Sequence, residues 1–232
     1  MTKKWTFVIY GAASDVIAPI FSYYPDSDFI CLINKSNPDY MRGISISSSS
    51  ENFDELLSSS LKNIDKNSTL VFINAAVYTV DELFISHSKD NLNKMIDTGI
   101  NKCLAVFQIV LSQMLKNRKG RIINLSSFRS KAPTKGAVVY SAIKSFSDIF
   151  FKGIGLEYGR FDITSNTISI GFAESKLLDS ISDEKKIEFK QKISKRKFLP
   201  PKEFMETLNY ILLSNYLNSS AIELDGGINL LE

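Results

Sequence analysis

Histidine is almost missing from this chain. Its 232 residues contain one, His87, together with two cysteines, one tryptophan and six prolines. A serine–histidine–aspartate triad or a multi-histidine metal site would have to be built on that single side chain, so no metal centre is expected. His87 lies in "LFISHSKDN", between Ser86 and Ser88 and just ahead of a helical pattern, and reads as part of a surface turn. The cysteines, Cys31 and Cys103, sit inside apolar runs without CxxC spacing. They read as small core residues of a reducing compartment rather than a disulfide or metal pair. Long hydrophobic runs are lacking too: none reaches the roughly 18 residues that span a bilayer. The apolar stretch ahead of Gly11 is too short for a secretory leader. A cytoplasmic protein with no membrane partner is the expectation. Nor does one charge dominate, since the net +3 is too weak for a nucleic-acid partner unless concentrated. The densest basic stretch, "DEKKIEFKQKISKRK" at 183–197, is interrupted by acids in the manner of a solvated helix face.

With 44% hydrophobic and 23% charged residues, the chain can bury a sizeable core, and it reads as one domain over 1–232. Seven short β-branched and apolar runs are strand candidates: 5–10, 28–34, 43–47, 69–75, 121–127, 163–170 and 221–225. They are continuous apolar runs more than strict alternations, as parallel strands covered on both faces require. Between them lie helical patterns at 51–64, 89–118, 137–159 and 201–216, the last opening on proline. Strand and helix in alternation predict an α/β fold, a doubly wound parallel sheet in three α/β/α layers. Ligands are then expected beyond the carboxyl ends of the strands.

One constellation carries chemistry. "YSAIK" puts Tyr140 and Lys144 one turn apart on the same helix face, and thirteen residues earlier Ser127 closes the strand run "GRIINLSS". A tyrosine hydroxyl, with its ordinary pKa of ~10, is a poor acid or base near neutrality, and a neighbouring ammonium lowers it. The pair becomes a usable proton donor. A serine hydroxyl aimed at the same point would hold a carbonyl and stabilise the charge that grows on it.

Ser127, Tyr140 and Lys144 in this order resemble the short-chain dehydrogenase/reductase family, in particular its single-domain 3-oxoacyl-reductase-like branch. Further landmarks follow the same order. "INAA" resembles the family's asparagine-alanine-glycine strand end, with Asn74 and Ala75 matching and Ala76 in place of glycine. "SNTISIGFAES" resembles the segment after the sixth strand, with Gly171 matching and Ser175 standing for a carboxamide-binding threonine. "FLPPKEF" and "AIELDGGINL" resemble the C-terminal helix start and last strand. The resemblance implies a seven-stranded Rossmann sheet and a nicotinamide cofactor. It also implies carbonyl reduction or secondary-alcohol oxidation, and a homodimer or homotetramer built on the two long helices. The substrate would be a small carbonyl or alcohol, free or carrier-linked.

The pattern breaks in places. In "YGAASDVIAPI" Gly11 matches the first of three loop glycines, while Asp15 and Ile17 fall on the second and third. Ile17 and Pro19 should delay the first helix. Asp15, counted with the cofactor-binding loop, either caps that helix with its carboxylate turned away or points at the cofactor and repels it, and backbone amides near Ala13, Ser14 and Val16 remain to meet a pyrophosphate. Gly99 takes the place of a family asparagine that holds a water in the proton relay; either a plain water fills the space or another element packs closely there. At the end of the second strand, Asn34, Lys35 and Ser36 offer no acid to bind two ribose hydroxyls. Lys35 could neutralise a 2′-phosphate, which favours NADP over NAD. Residues 176–198 would form a lid, with Leu177, Leu178, Ile181, Ile187, Phe189 and Ile193 as an apolar wall. Lys185, Lys186, Lys190 and Lys192 are either solvated or placed to meet an anionic carrier. Two alternatives stay open: a nucleotide-binding protein that has lost turnover, and an enzyme that modifies nucleotide sugars.

Overall fold

The computed structural model describes residues 4–33, 38–175, 178 and 181–228. All seven strand candidates form: β1 Trp5–Tyr10, β2 Asp28–Ile33, β3 Ile44–Ser47, β4 Thr69–Asn74, β5 Gly120–Ser127, β6 Ile163–Ile170 and β7 Ala221–Leu224. They build one parallel sheet in the order β3-β2-β1-β4-β5-β6-β7. The described helices are α1 Ile20–Tyr23, α2 Phe53–Lys62, α3 Lys89–Ile96, α4 Lys102–Asn117, α5 Val138–Tyr158, α6 Asp183–Gln191 and α7 Pro201–Leu213.

The central strands read as unbroken apolar runs because both faces of the sheet are covered. On β1, Trp5, Phe7 and Ile9 enter a core shared with α1 and α7, which adds Phe204, Leu208 and Ile211. Val8 and Tyr10 point the other way, into a core with Leu57 and Leu61 of α2, Phe107 and Val110 of α4, and Phe151 of α5. The two-residue period of the strand is intact, but each phase finds its own apolar layer.

The first helix is delayed as expected, to the four residues of α1, with Pro19 at its N-cap and Ile17 buried in the core. Asp15 therefore does not cap it. The long pattern at 89–118 is interrupted by a π-helical turn, Asp97–Asn101, between α3 and α4. The Tyr10 hydroxyl donates to the Thr98 carbonyl at 2.9 Å, tying that turn to the end of β1. By length and composition the run Lys89–Asn117 could cross a membrane, yet Val106, Phe107, Val110 and Met114 lie against the sheet.

Strand order reverses between β1 and β4, and there the loops after the two strands part to open a crevice. The backbone bridges it where the Ala75 amide donates to the Tyr10 carbonyl at 2.8 Å. The layer beneath is aromatic: Phe72 packs on Phe107 and Phe151, with centroids 5.2 and 6.2 Å away. Phe72→Ala should cost about 3–5 kcal/mol, read as a lower denaturant midpoint at unchanged m. A loss under about 1 kcal/mol would contradict this packing.

Candidate active site

Ser127 is the last residue of β5, and the 3-10 turn Phe128–Ser130 carries the chain away from the sheet. α5 then packs back along the sheet and brings Tyr140 to Ser127, whose side chain is close enough to act on the tyrosine hydroxyl. One turn on, buried Lys144 donates to the Leu125 carbonyl at 2.7 Å, with its ammonium 6.0 Å from the Tyr140 ring centroid. The three predicted residues are thus brought together.

Their electrostatics differ from expectation. Burial is the largest influence on Tyr140 and raises its pKa; the Ser127 hydroxyl and the Arg129 charge pull it back, while Asp81 and Asp148 push it up. Burial brings Lys144 down from 10.5 to about 8, against the opposing pull of Cys103 and Asp148. The cation that lowers Tyr140 is Arg129, while Lys144 is directed at a backbone carbonyl. A tyrosine held protonated at neutral pH suits a proton donor.

Gly99 lies in the π turn, facing α5. A β-carbon built on it would sit 2.4 Å from Ile143 Cγ2. Ile143 therefore fills the space that a side chain or a water would take, which settles the choice in favour of close packing. Only about 10 Å³ remains between Gly99, Met95, Ile143, Tyr140 and Lys144. Asn101 is exposed and does not replace the missing side chain.

The crevice holds a cavity of about 310 Å³ lined by Gly11, Ala13, Ser14, Ala75, Ala76, Thr98 and Lys102, among others. Through Ser48 and Lys102 it meets a second of about 600 Å³ along Ser50–Glu55 and Val106. Gly11 has φ +88°, and a β-carbon there would come within 2.4 Å of the Ala76 nitrogen, so only glycine allows the loop this close to β4. The Ser14 amide donates to the Gly11 carbonyl at 3.1 Å, and Ser14 also lines the cavity. α1, at four residues, is too short to add a helix dipole. Asn74 sits just beneath, donating to Asn124 at 2.9 Å.

Other expected residues are not gathered here. Val16 packs against the apolar core, and Asp15 does not line the cavity. Gly171 donates to the Leu224 carbonyl at 3.2 Å, and neither it nor Ser175 reaches the cavity. Asn34, Lys35, Ser36 and Leu177 lie outside the described residues. Of the lid's apolar set, Phe189 stacks on Phe172 at 4.6 Å, Ile193 is buried, and Ile187 faces solvent. Lys186 and Lys192 pair with Asp183 and Glu188 of their own helix, as on a solvated face. His87 does follow an exposed turn, Phe84–Ser86, but its side chain is 1% exposed, with Nδ1 3.1 Å from Glu82 Oε1, though not aligned as a hydrogen bond. Sequence reasoning missed Ser48, Lys102, Arg129 and Asp81. Ser48 alone carried a signal, by following the end of a parallel strand.

A family model described as short chain dehydrogenase matches residues 43–186, which include Ser127, Tyr140 and Lys144 but not the Gly11 loop. The chain is 26% identical over 170 residues to a 3-oxoacyl-[acyl-carrier-protein] reductase of Chlamydia pneumoniae, covering 72% of this chain and 68% of that one. It is 28% identical over 160 residues to the enzyme of the same name from Aquifex aeolicus, covering 68% and 64%. In structure it resembles an actinorhodin polyketide ketoreductase solved with NADPH, with TM-score 0.81, 18% identity and 97% of each chain covered.

Two outcomes test this geometry. Gly99→Asn should destabilise the protein by about 1–3 kcal/mol, and much of that loss should disappear in an Ile143→Ala background. Additive effects in the double-mutant cycle would refute the filled space. For Lys144→Met the readout is the melting temperature against pH. Between pH 8 and 10.5 the unfolded lysine holds a proton that the native one has lost, so wild type should gain on the variant as pH rises. A gap moving the other way would contradict the lowered lysine.

Proposed function

Because this chain belongs to the short-chain dehydrogenase family, we propose that it is an NADPH-dependent carbonyl reductase in which Tyr140 is the proton donor. The observation that carries this reading is the meeting of Ser127, Tyr140 and Lys144 at the sheet edge, beside two adjoining cavities of about 310 and 600 Å³. Gly11, Ala13, Ser14, Ala75 and Ala76 suit the cofactor, because their small side chains line the cavity and glycine at 11 lets the loop close on the Ala75–Ala76 backbone. When bound, the nicotinamide would supply the hydride. Ser127 holds the carbonyl oxygen, Tyr140 delivers its proton to that oxygen, and Lys144 positions the tyrosine and anchors the ribose. Ser48 and Lys102 take the far end of the nucleotide, and Lys35, with no acid at 34–36, favours the 2′-phosphate of NADP over NAD.

The chain works as one domain, with 176–198 as the cover over the substrate, Asn74 supporting the cradle, and Gly171 and Ser175 serving the nicotinamide end. The exposed Ile149 and Leu156 on α5 suit a homodimer or homotetramer. The relatives' names point to a 3-oxoacyl substrate. A second reading, nucleotide binding without turnover, is favoured by one feature: Ile143 occupies the relay position. The discriminating experiment is Tyr140→Phe, followed by NADPH absorbance with a panel of ketones and 3-oxoacyl thioesters, and by fluorescence titration. Turnover should fall by about 100-fold or more, with cofactor affinity within a few fold of wild type. Wild-type-like turnover in the variant would refute the mechanism, and binding without oxidation across the panel would favour the second reading.

A further inference from the structure

Arg129 is two residues past Ser127, and its amide donates to the Ser127 hydroxyl at 3.3 Å. Its guanidinium lies 5.9 Å from the Phe128 ring centroid and meets Asp81 Oδ2 through one nitrogen at 3.1 Å. Asp81 belongs to the segment after β4, which packs against Gly136 in the loop leading into α5. The pair therefore joins the turn that follows Ser127 to the segment packed on the loop leading into α5 and Tyr140. The two partners are unequal: the arginine side chain is 24% exposed and the aspartate 54%. An exposed single-bond pair contributes little to stability, whereas guanidinium can take a carboxylate through two parallel N–H bonds. The neighbouring cation, Lys131, is already paired with Glu223 out in solvent.

We infer that Arg129 receives a carboxylate of the substrate and that Asp81 is the resident counter-ion which this carboxylate displaces. The preferred substrate is then a small oxo acid whose carboxylate lies within a few atoms of the reacting carbonyl held by Ser127. A thioester is neutral at that point and gives Arg129 nothing to bind, so the inference separates this chain's substrate from a carrier-linked one. It rests on the carbonyl-reductase reading.

The test compares acetoacetate with methyl acetoacetate in wild type, Arg129→Gln and Asp81→Asn. The ratio of kcat/KM for acid over ester should exceed one in wild type. It should fall about tenfold or more in Arg129→Gln, the loss of one charge-assisted interaction, and rise in Asp81→Asn. Opposite signs are the signature, because a merely structural ion pair is broken alike by either substitution. Equal or same-direction changes, or a wild-type ratio of one or less, would overturn the inference. Calorimetry on the NADP⁺-loaded protein, which cannot reduce a ketone, gives the same comparison without turnover. Acetoacetate binding weakened by Arg129→Gln in calorimetry, together with no carbonyl reduced in the NADPH assay, would sink the reductase reading and leave the anion site standing. Binding that neither substitution moves would sink the anion site even if esters are reduced.

Discussion

One buried side chain, Asn124 on β5, holds the site together. Its amide receives Asn74 of β4 at 2.9 Å and reaches Asp148 and Ser147 of α5 at 3.1 and 3.3 Å and Thr167 of β6 at 3.3 Å. Three adjacent strands and the helix that bears Tyr140 and Lys144 thus share one polar knot inside an apolar sheet. A buried amide left without partners costs on the order of 1–3 kcal/mol, so the knot tolerates one register of α5 against β5. In that register Lys144 meets the Leu125 carbonyl and Tyr140 meets Ser127.

The nucleotide end is built on different physics. Gly11 brings the loop against the Ala75–Ala76 backbone, but Ile17 in the core and Pro19 before α1 leave no long helix pointing at the crevice. Grip on a diphosphate must then come from local donors such as the Ser14 hydroxyl rather than from a helix dipole. The same economy appears at Gly99, where packing by Ile143 replaces a polar relay. Both departures trade cofactor and proton handling for apolar burial, while the Ser127, Tyr140 and Lys144 set is intact.

Much of this was legible in the sequence, for identifiable reasons. The strands declared themselves because both phases of each central run are apolar, and the trio because i, i+4 spacing and a strand end are local features. Delay of the first helix followed from Ile17 and Pro19. What escaped depends on contacts across the chain. Asp81 meets Arg129 48 residues away, and only the fold makes them a pair. Ile143 fills the hollow at Gly99 only after α5 docks on the π turn. His87 seemed a turn residue because its neighbours are serines, yet its ring is folded inward beside Glu82. Tyr140's raised pKa likewise reflects burial, which spacing does not reveal.

The central claim is that the crevice between β1 and β4 delivers a nicotinamide to Tyr140. A crystal structure of the protein with NADPH tests it most directly. The expected result is a dinucleotide running from Ser48 and Lys102 past Gly11 and Ser14, with its nicotinamide ring against Tyr140. A cofactor bound elsewhere, or one whose nicotinamide turns away from Tyr140, would contradict it.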